Sequence, residues 1–369
     1  MRFDRRCAVN FDWGTLVLAL TLTAWSLLLL YSAASSSQLR SLQGIYLKQL
    51  SWLGLGLVVL CAVLWNDYQM MSRYAYMFYA VVIVGLVAVL LFAPVINGAR
   101  RWLTLGPWSL QVSELVKPAL ILALARYFTR DRKQESEALS WRDLLVPLGL
   151  AGLPFGLIVK QPDLSTAIVL LAILCVMVVI TGMQLKVMFA LGLLGAGALP
   201  AMWSLLKGYQ RERLLTLFKP QADLLGAGYH SWQSKIAIGS GGLWGKGLFA
   251  GTQSRLNFLP EKHTDFIFAV LGEEMGFIGA CLLLSLFSIL LLHGLTTAYR
   301  SRDRLGALLA TGVVTMLTVQ IFLNIGMTIG LLPIIGLPLP LMSYGGSSLL
   351  TTFFCLGLLM NVRMRRFTF

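Results

Sequence analysis

The chain of 369 residues is 57% hydrophobic and 12% charged, whereas a soluble protein carries roughly a quarter of its residues as Asp, Glu, Lys and Arg to cover a surface that meets water on every side. That composition excludes a soluble enzyme, a disordered segment and a disulfide scaffold, and points to a polytopic membrane protein. The formal net charge of +14 would suggest nucleic acid in a soluble protein; in a membrane chain it belongs first to topology and anionic lipid, and no nucleic-acid partner is expected.

Apolar runs predict ten all-α spans, near 13–33, 47–65, 74–95, 112–128, 143–159, 164–182, 185–206, 265–296, 305–330 and 347–362. They run unbroken for about twenty residues, which excludes a membrane barrel, whose strands alternate over roughly ten. The first run follows Arg2, Arg5 and Arg6 without a small-residue cleavage site, so a retained span is expected there and not a removed signal peptide. Both termini then fall on one side. With them in the cytoplasm, that side holds Arg2, Arg5, Arg6, Arg73, Arg126, Arg130, Arg132, Lys133, Arg142, Lys186, Arg300, Arg302, Arg304, Arg363, Arg365 and Arg366. The opposite short loops hold only Arg40, Lys48, Arg100, Arg101, Lys117 and Lys160, which follows the positive-inside rule.

The remaining basic residues, Lys207, Arg211, Arg213, Lys219, Lys235, Lys246, Arg255 and Lys262, lie in one long outer segment, 207–264, before the eighth span. Long loops weigh little in topology, so these cations call for another reason, and an anionic ligand is the obvious one. A segment of this length is expected to carry short amphipathic or re-entrant helices. Cys7, Cys61, Cys175, Cys281 and Cys355 form no CxxC pair and read as inert packing residues. His230, His263 and His293 stand far apart without cysteine partners, so no structural zinc site can be written.

Asp265, in LPEKHTDFIFAV, stands where the outer segment turns into an apolar span. A helix N-cap is one reading of it. The other is a general base, since a carboxylate near a low-dielectric surface and a basic, glycine-rich segment can have its pKa tuned for proton transfer. Glu114 and Lys117, spaced i, i+3 at the head of the fourth span, share a helix face. Intramembrane ionisable pairs are costly and mark functional cavities by default. Arg100 and Arg101 precede them by one short loop, beside Trp102, which reads as an interface anchor. Glu273 and Glu274 point roughly 80° and 180° away from Asp265 around a helix at about 100° per residue, which suits contacts inside the bundle.

The stretch GAGYHSWQSKIAIGSGGLWGKGL (226–248) fails as a phosphate loop, since Ser240 and Gly247 stand where glycine and Ser/Thr are required. Two readings remain: backbone N–H groups close to an anion, or tight turns and helix packing. The segment NIGMTIGLLPIIGLPLPLMSYGGSS (324–348), with Pro333, Pro338 and Pro340, cannot be a regular helix throughout. Broken backbone at membrane depth is tolerated only where protein buries it or it lines a wet cavity, so it is expected to form a wall of a site.

With these pieces placed, the chain resembles the SEDS family (shape, elongation, division and sporulation). NGARRWLTLG, QVSELVK, QPDLST, YQRER, the glycine-rich stretch, GTQSRLNFLPEKHTDFIFAVLGEE and the proline-rich segment carry the resemblance, in family order from 97 to 348. The family pattern reads QPSE and QPDLGT, where this chain has Val112 and Ser165. The resemblance implies one transmembrane domain over 1–369, similar in fold to lipid-dependent GT-C enzymes. It also implies a peptidoglycan glycosyltransferase that polymerises lipid II on the outer face of the bacterial cytoplasmic membrane, within the elongation complex, with a class B penicillin-binding protein as partner. Asp265 is the implied catalytic residue. Glu114, Lys117, Arg211, Arg213 and Lys235 match positions around the polar cavity, with Arg100 and Arg101 beside them as substrate-binding candidates. A divalent cation, Mg or Mn, at the pyrophosphate is compatible with Glu114 or Asp265 as ligands, though no motif demands it. A lipid II flippase would share the ten helices and broken segments, and a non-catalytic scaffold for the transpeptidase is the third reading.

Overall fold

The computed structural model describes residues 10–35, 44–95, 100–105, 108–131, 139–184, 227–255 and 261–366, with isolated positions between 184 and 227. Its helices in chain order are α1 (Trp13–Ser35), α2 (Ile45–Trp65), α3 (Tyr68–Arg73), α4 (Ala75–Phe92), α5 (Val112–Arg126), α6 (Trp141–Lys160), α7 (Leu164–Gly182), α8 (Ala227–Ser240), α9 (Thr252–Arg255), α10 (Ile267–Tyr299), α11 (Arg304–Thr328) and α12 (Gly346–Arg365). Among the described residues, 8 helices are long and apolar enough to cross a membrane: α1, α2, α4, α6, α7, α10, α11 and α12. The all-α polytopic expectation holds, with span ends shifted by a few residues. The predicted span 185–206 lies almost wholly outside the described residues.

Helix α5 was expected as an ordinary span over 112–128. It is 15 residues long and is continued by a π-helical turn, Tyr127–Asp131. Its position explains its shortness. Buried on nearly all sides, from Val112 through Ala125, it forms the axis on which α4, α7, α11 and α12 pack. The lipid-facing sides of α2, α4 and α6 instead expose side chains such as Val58, Val84 and Leu145. Lipid tails are as apolar as leucine, so close packing must do what the hydrophobic effect does in water. At Gly312 a Cβ would stand 2.7 Å from Ile121, a contact that lets α11 lie against α5.

A two-stranded antiparallel hairpin, β1 (Trp102–Leu105) and β2 (Trp108–Gln111), precedes α5, where only a short loop was expected. Its second strand runs directly into α5, so the hairpin fixes the direction from which α5 enters the bundle. Trp102, expected as an interface anchor, is half-buried in it. Of the described cysteines, Cys355 is buried, whereas Cys61, Cys175 and Cys281 face outward; packing therefore describes only the first.

Helix α10 is 33 residues long, about 50 Å at 1.5 Å per residue, against a hydrocarbon core of about 30 Å. A break at Gly276 (φ 63°, ψ −160°) divides it. From Gly276 to Tyr299 is about 35 Å, which by itself spans the core. The glycine-rich segment docks on the break. Phe277 N and Ile278 N donate to the carbonyls of Gly242 and Leu243, and Lys246 N and Gly247 N donate to those of Glu273 and Glu274, at 2.9 to 3.2 Å. The segment thus satisfies backbone groups that the kink frees. Glycine is required because a Cβ on Gly245 (φ 80°) would stand 2.2 Å from the Glu274 carbonyl. Tight packing, not an anion cradle, is what these glycines provide. Helix α8 leads into this dock and is anchored by Ser234 Oγ donating to Thr328 O at 2.7 Å.

Replacing Gly245 with alanine should cost about 1–3 kcal/mol, through a strained positive φ and a backbone clash. Thermal unfolding of the purified protein in detergent measures this, and an unchanged midpoint would contradict the docking.

Candidate active site

Asp265 sits in a wound turn, 261–266, in which the N–H groups of Thr264, Asp265 and Phe266 all donate to Glu261 O at 3.1, 3.2 and 3.4 Å. The N-cap of α10 is Phe266, without a side-chain cap bond, so Asp265 stands ahead of the cap position considered for it. The turn is fixed by the broken segment 330–345. Asn324 Nδ2 donates to Asp265 O at 3.0 Å and to Leu337 O at 2.6 Å. Ser343 Oγ donates to Thr264 O at 2.5 Å and accepts from Leu339 N at 2.8 Å. Tyr344 N donates to His263 O at 2.9 Å. Within this wall Gly336 (φ 66°) lies against the carboxylate: a Cβ there would stand 3.1 Å from Asp265 Oδ2. The half-buried Asp265 carboxylate is thereby held on backbone that cannot easily move.

A second carboxylate, Asp163, is a structural hub that motif reading alone did not resolve. It is buried at the N-cap of α7. Its Oδ2 accepts from Gln111 Nε2 (3.1 Å), Ser113 Oγ (2.9 Å) and Thr166 Oγ1 (3.0 Å), while Gln111 N donates to Ser347 Oγ at 2.8 Å. The starts of α5, α7 and α12 are thus tied at one point. Arg101 supports the same corner, donating from Nε to Gln161 O at 3.0 Å and from Nη2 to Pro162 O. Arg100 donates from Nη1 to Leu90 O at 3.0 Å. Both arginines therefore serve helix ends, α6 and α4 respectively.

Glu114 and Lys117 form a buried ion pair of 2.7 Å on α5, with side chains 3% and 0% exposed. Two charges withdrawn from water survive only as a pair, and removing one partner strands the other. Lys117→Ala should therefore cost about 3–5 kcal/mol. The double variant Glu114→Gln/Lys117→Met should recover most of the lost thermal midpoint; equal destabilisation of the single and the double variant would contradict the pairing.

Of the outer cations, Lys235 on α8 is half-buried with its side chain pressed against Gly330, where a Cβ would stand 1.9 Å from Cε. No hydrogen bond or ion pair is formed by it among the described residues. Lys235 and Asp265 thus touch the same broken segment, at Gly330 and Gly336. Arg211 is an isolated, half-buried described position, and Arg213 lies outside the described residues. Lys246 is spent on Glu273, at 2.9 Å, where Thr252 Oγ1 and Gln253 N also donate. Glu274 accepts from Ser32 Oγ at 2.5 Å. The two glutamates therefore make the bundle contacts expected of them, on different sides of α10.

Lys262, grouped in the sequence with the other outer cations, is 3% exposed. Burial holds its ammonium below the usual lysine range, with Glu274 opposing. The signal missed was tertiary: nothing in EKHTD says that its lysine turns inward. Of the two carboxylates considered for a divalent cation, Glu114 is already engaged, its Oε2 by Lys117, and no group of three His, Cys, Asp or Glu able to hold a metal occurs among the described residues.

His263 has its pKa lowered by burial, with Glu261 opposing and Lys262 reinforcing. The unfolded chain binds a proton near about pH 6.5 that the folded turn refuses, so this contribution is present above that pH and is lost as pH falls below it. His263→Gln should flatten the decline of the thermal midpoint between about pH 7 and 5.5. Identical slopes for wild type and variant would contradict this.

The fold and site define an all-α polytopic membrane protein with a fixed carboxylate and a basic segment at one end of its bundle. A family model described as cell cycle protein, FtsW/RodA/SpoVE, matches residues 13–367, and the chain belongs to that family. It is 39% identical over 359 residues to the peptidoglycan glycosyltransferase MrdB of Escherichia coli K12, covering 97% of this chain and 95% of the relative. It is 33% identical to the peptidoglycan glycosyltransferase RodA of Treponema pallidum, covering 97% and 98%. Among solved structures it is similar to a chain from "Structural coordination of polymerization and crosslinking by a peptidoglycan synthase complex", with TM-score 0.82, 32% identity and coverage of 97% and 99%. The rod shape determining protein RodA of Thermus thermophilus superposes with TM-score 0.72 at 31% identity, covering 97% and 98%.

Proposed function

We propose that this chain is a peptidoglycan glycosyltransferase that polymerises lipid II into β-1,4 glycan strands, with Asp265 as general base. The observation that carries the reading is that a rigidly backed carboxylate, Asp265, and a cation that forms no ion pair among the described residues, Lys235, touch one broken segment of backbone. The relatives named above as peptidoglycan glycosyltransferases over nearly the whole chain support it.

The chemistry follows from charge development. The 4-hydroxyl of the acceptor sugar is a weak nucleophile until a base takes its proton, and Asp265 is that base. As the oxygen bonds to C1 of the donor, the bond from C1 to the undecaprenyl pyrophosphate breaks and negative charge gathers on the departing phosphate. Lys235, with Arg211 and Arg213, stabilises that charge. A single displacement inverts the α-linked donor to a β-linked product. The distribution of basic residues supports a cytoplasmic placement of both termini, with Asp265 on the outer, periplasmic side. A class B penicillin-binding protein in the elongation complex is the proposed partner, in keeping with the polymerising and cross-linking complex to which the chain is similar.

Asp265→Asn should leave folding intact and lower polymerisation by roughly 10²- to 10⁴-fold. Purified protein given lipid II, with and without the transpeptidase, and glycan resolved on a gel is the assay. Wild-type rates from Asp265→Asn would overturn the base assignment. Movement of lipid II across vesicles without polymer would favour a flippase.

Alanine at Lys235, Arg211 or Arg213 should each lower the rate far more than alanine at Lys207 or Lys219. Cations that merely attract lipid contribute about 1 kcal/mol each, interchangeably and salt-sensitively. A uniform, salt-dependent loss at all five positions would leave only a surface field.

A further inference from the structure

Ser165 stands where the family pattern QPDLGT has glycine, in the first turn of α7, and is 2% exposed. Its Oγ lies 2.9 Å from Asp163 Oδ1 and 3.2 Å from the carbonyl oxygen of Gly336. A hydroxyl has one proton to give, so the two acceptors share it in a three-centre bond. Asp163 is itself immobilised by Gln111, Ser113 and Thr166. On the far side, Gly336 lies against Asp265, close enough that an added Cβ would stand 3.1 Å from Oδ2. A continuous line of contacts therefore runs from a fixed hub, through one hydroxyl and one backbone unit, to the carboxylate.

We infer that Ser165 is a positioning residue for Asp265, acting through Gly336. This rests on the reading of Asp265 as the base. The hydroxyl holds the broken segment at a set distance from α7, and the segment in turn fixes where the carboxylate meets the acceptor hydroxyl. Proton transfer is steep in that distance, so loosening the wall lowers the chemical step without touching the groups that hold pyrophosphate.

The test uses the full-length protein with lipid II, comparing wild type, Ser165→Ala, Ser165→Gly, Ser165→Thr and Asp265→Asn. For the alanine and glycine variants kcat should fall about fivefold, the value of one neutral hydrogen bond. KM for lipid II should be unchanged and the thermal midpoint should move by less than about 2 °C. Threonine, which keeps the hydroxyl, should return kcat to within about twofold of wild type. Wild-type kcat in either the alanine or the glycine variant would overturn the inference. So would a joint change in kcat, KM and thermal midpoint that threonine fails to rescue, since that is what a packing residue does. An inactive Asp265→Asn beside a fully active Ser165→Ala sinks only this inference; an active Asp265→Asn removes the base assignment on which it rests.

Discussion

Hydrocarbon offers no water to a free N–H or C=O, so irregular backbone at membrane depth exists only where the protein itself supplies the missing partners. This constraint accounts for the placement of the site. The broken segment 330–345 is held by buried polar side chains: Asn324 from α11, Ser343 from within, Gln49 from α2 and Ser26 from α1, whose hydroxyl donates to Met342 O at 2.5 Å. The kink at Gly276 is met in the same way by the glycine-rich segment. Asp265 stands against the broken segment, at Gly336, and ahead of the helix that carries the kink.

Charge obeys the same logic. Glu114 and Lys117, both buried, neutralise each other, since neither could remain charged alone. Lys246 is bound to the buried Glu273, while Lys235 is left without a partner among the described residues. Lys235 and the Asp265 carboxylate touch the same broken segment, and in the proposed reaction an anionic lipid-linked substrate is what meets them there.

Much of this was legible in the chain. Apolar run lengths located the spans because the bilayer sets their length, and the prolines of 333–340 announced a segment that could not be helical. Asp265 was legible as a carboxylate at a boundary, and Glu114 with Lys117 as a helical i, i+3 pair. The hairpin 102–111 escaped because its strands are only four residues long, too short to show alternation. The rest of what escaped depends on a partner far away in the chain. The glycines of 241–247 could have cradled an anion or packed on a helix, and only the kink of α10 decides between these. Nothing local marked Lys262 as buried, or Asp163 as the point on which Gln111 and Ser113 converge.

The central claim is that a single displacement at the donor sugar is driven by one base and assisted by cations. The anomeric configuration of the product tests it most directly. Purified protein should convert lipid II into glycan whose new linkages are all β, shown by the anomeric proton couplings and by complete digestion with a β-1,4-specific muramidase. An α-linked product, or a mixture of anomers, would mean a double displacement or a dissociated intermediate and would contradict the account.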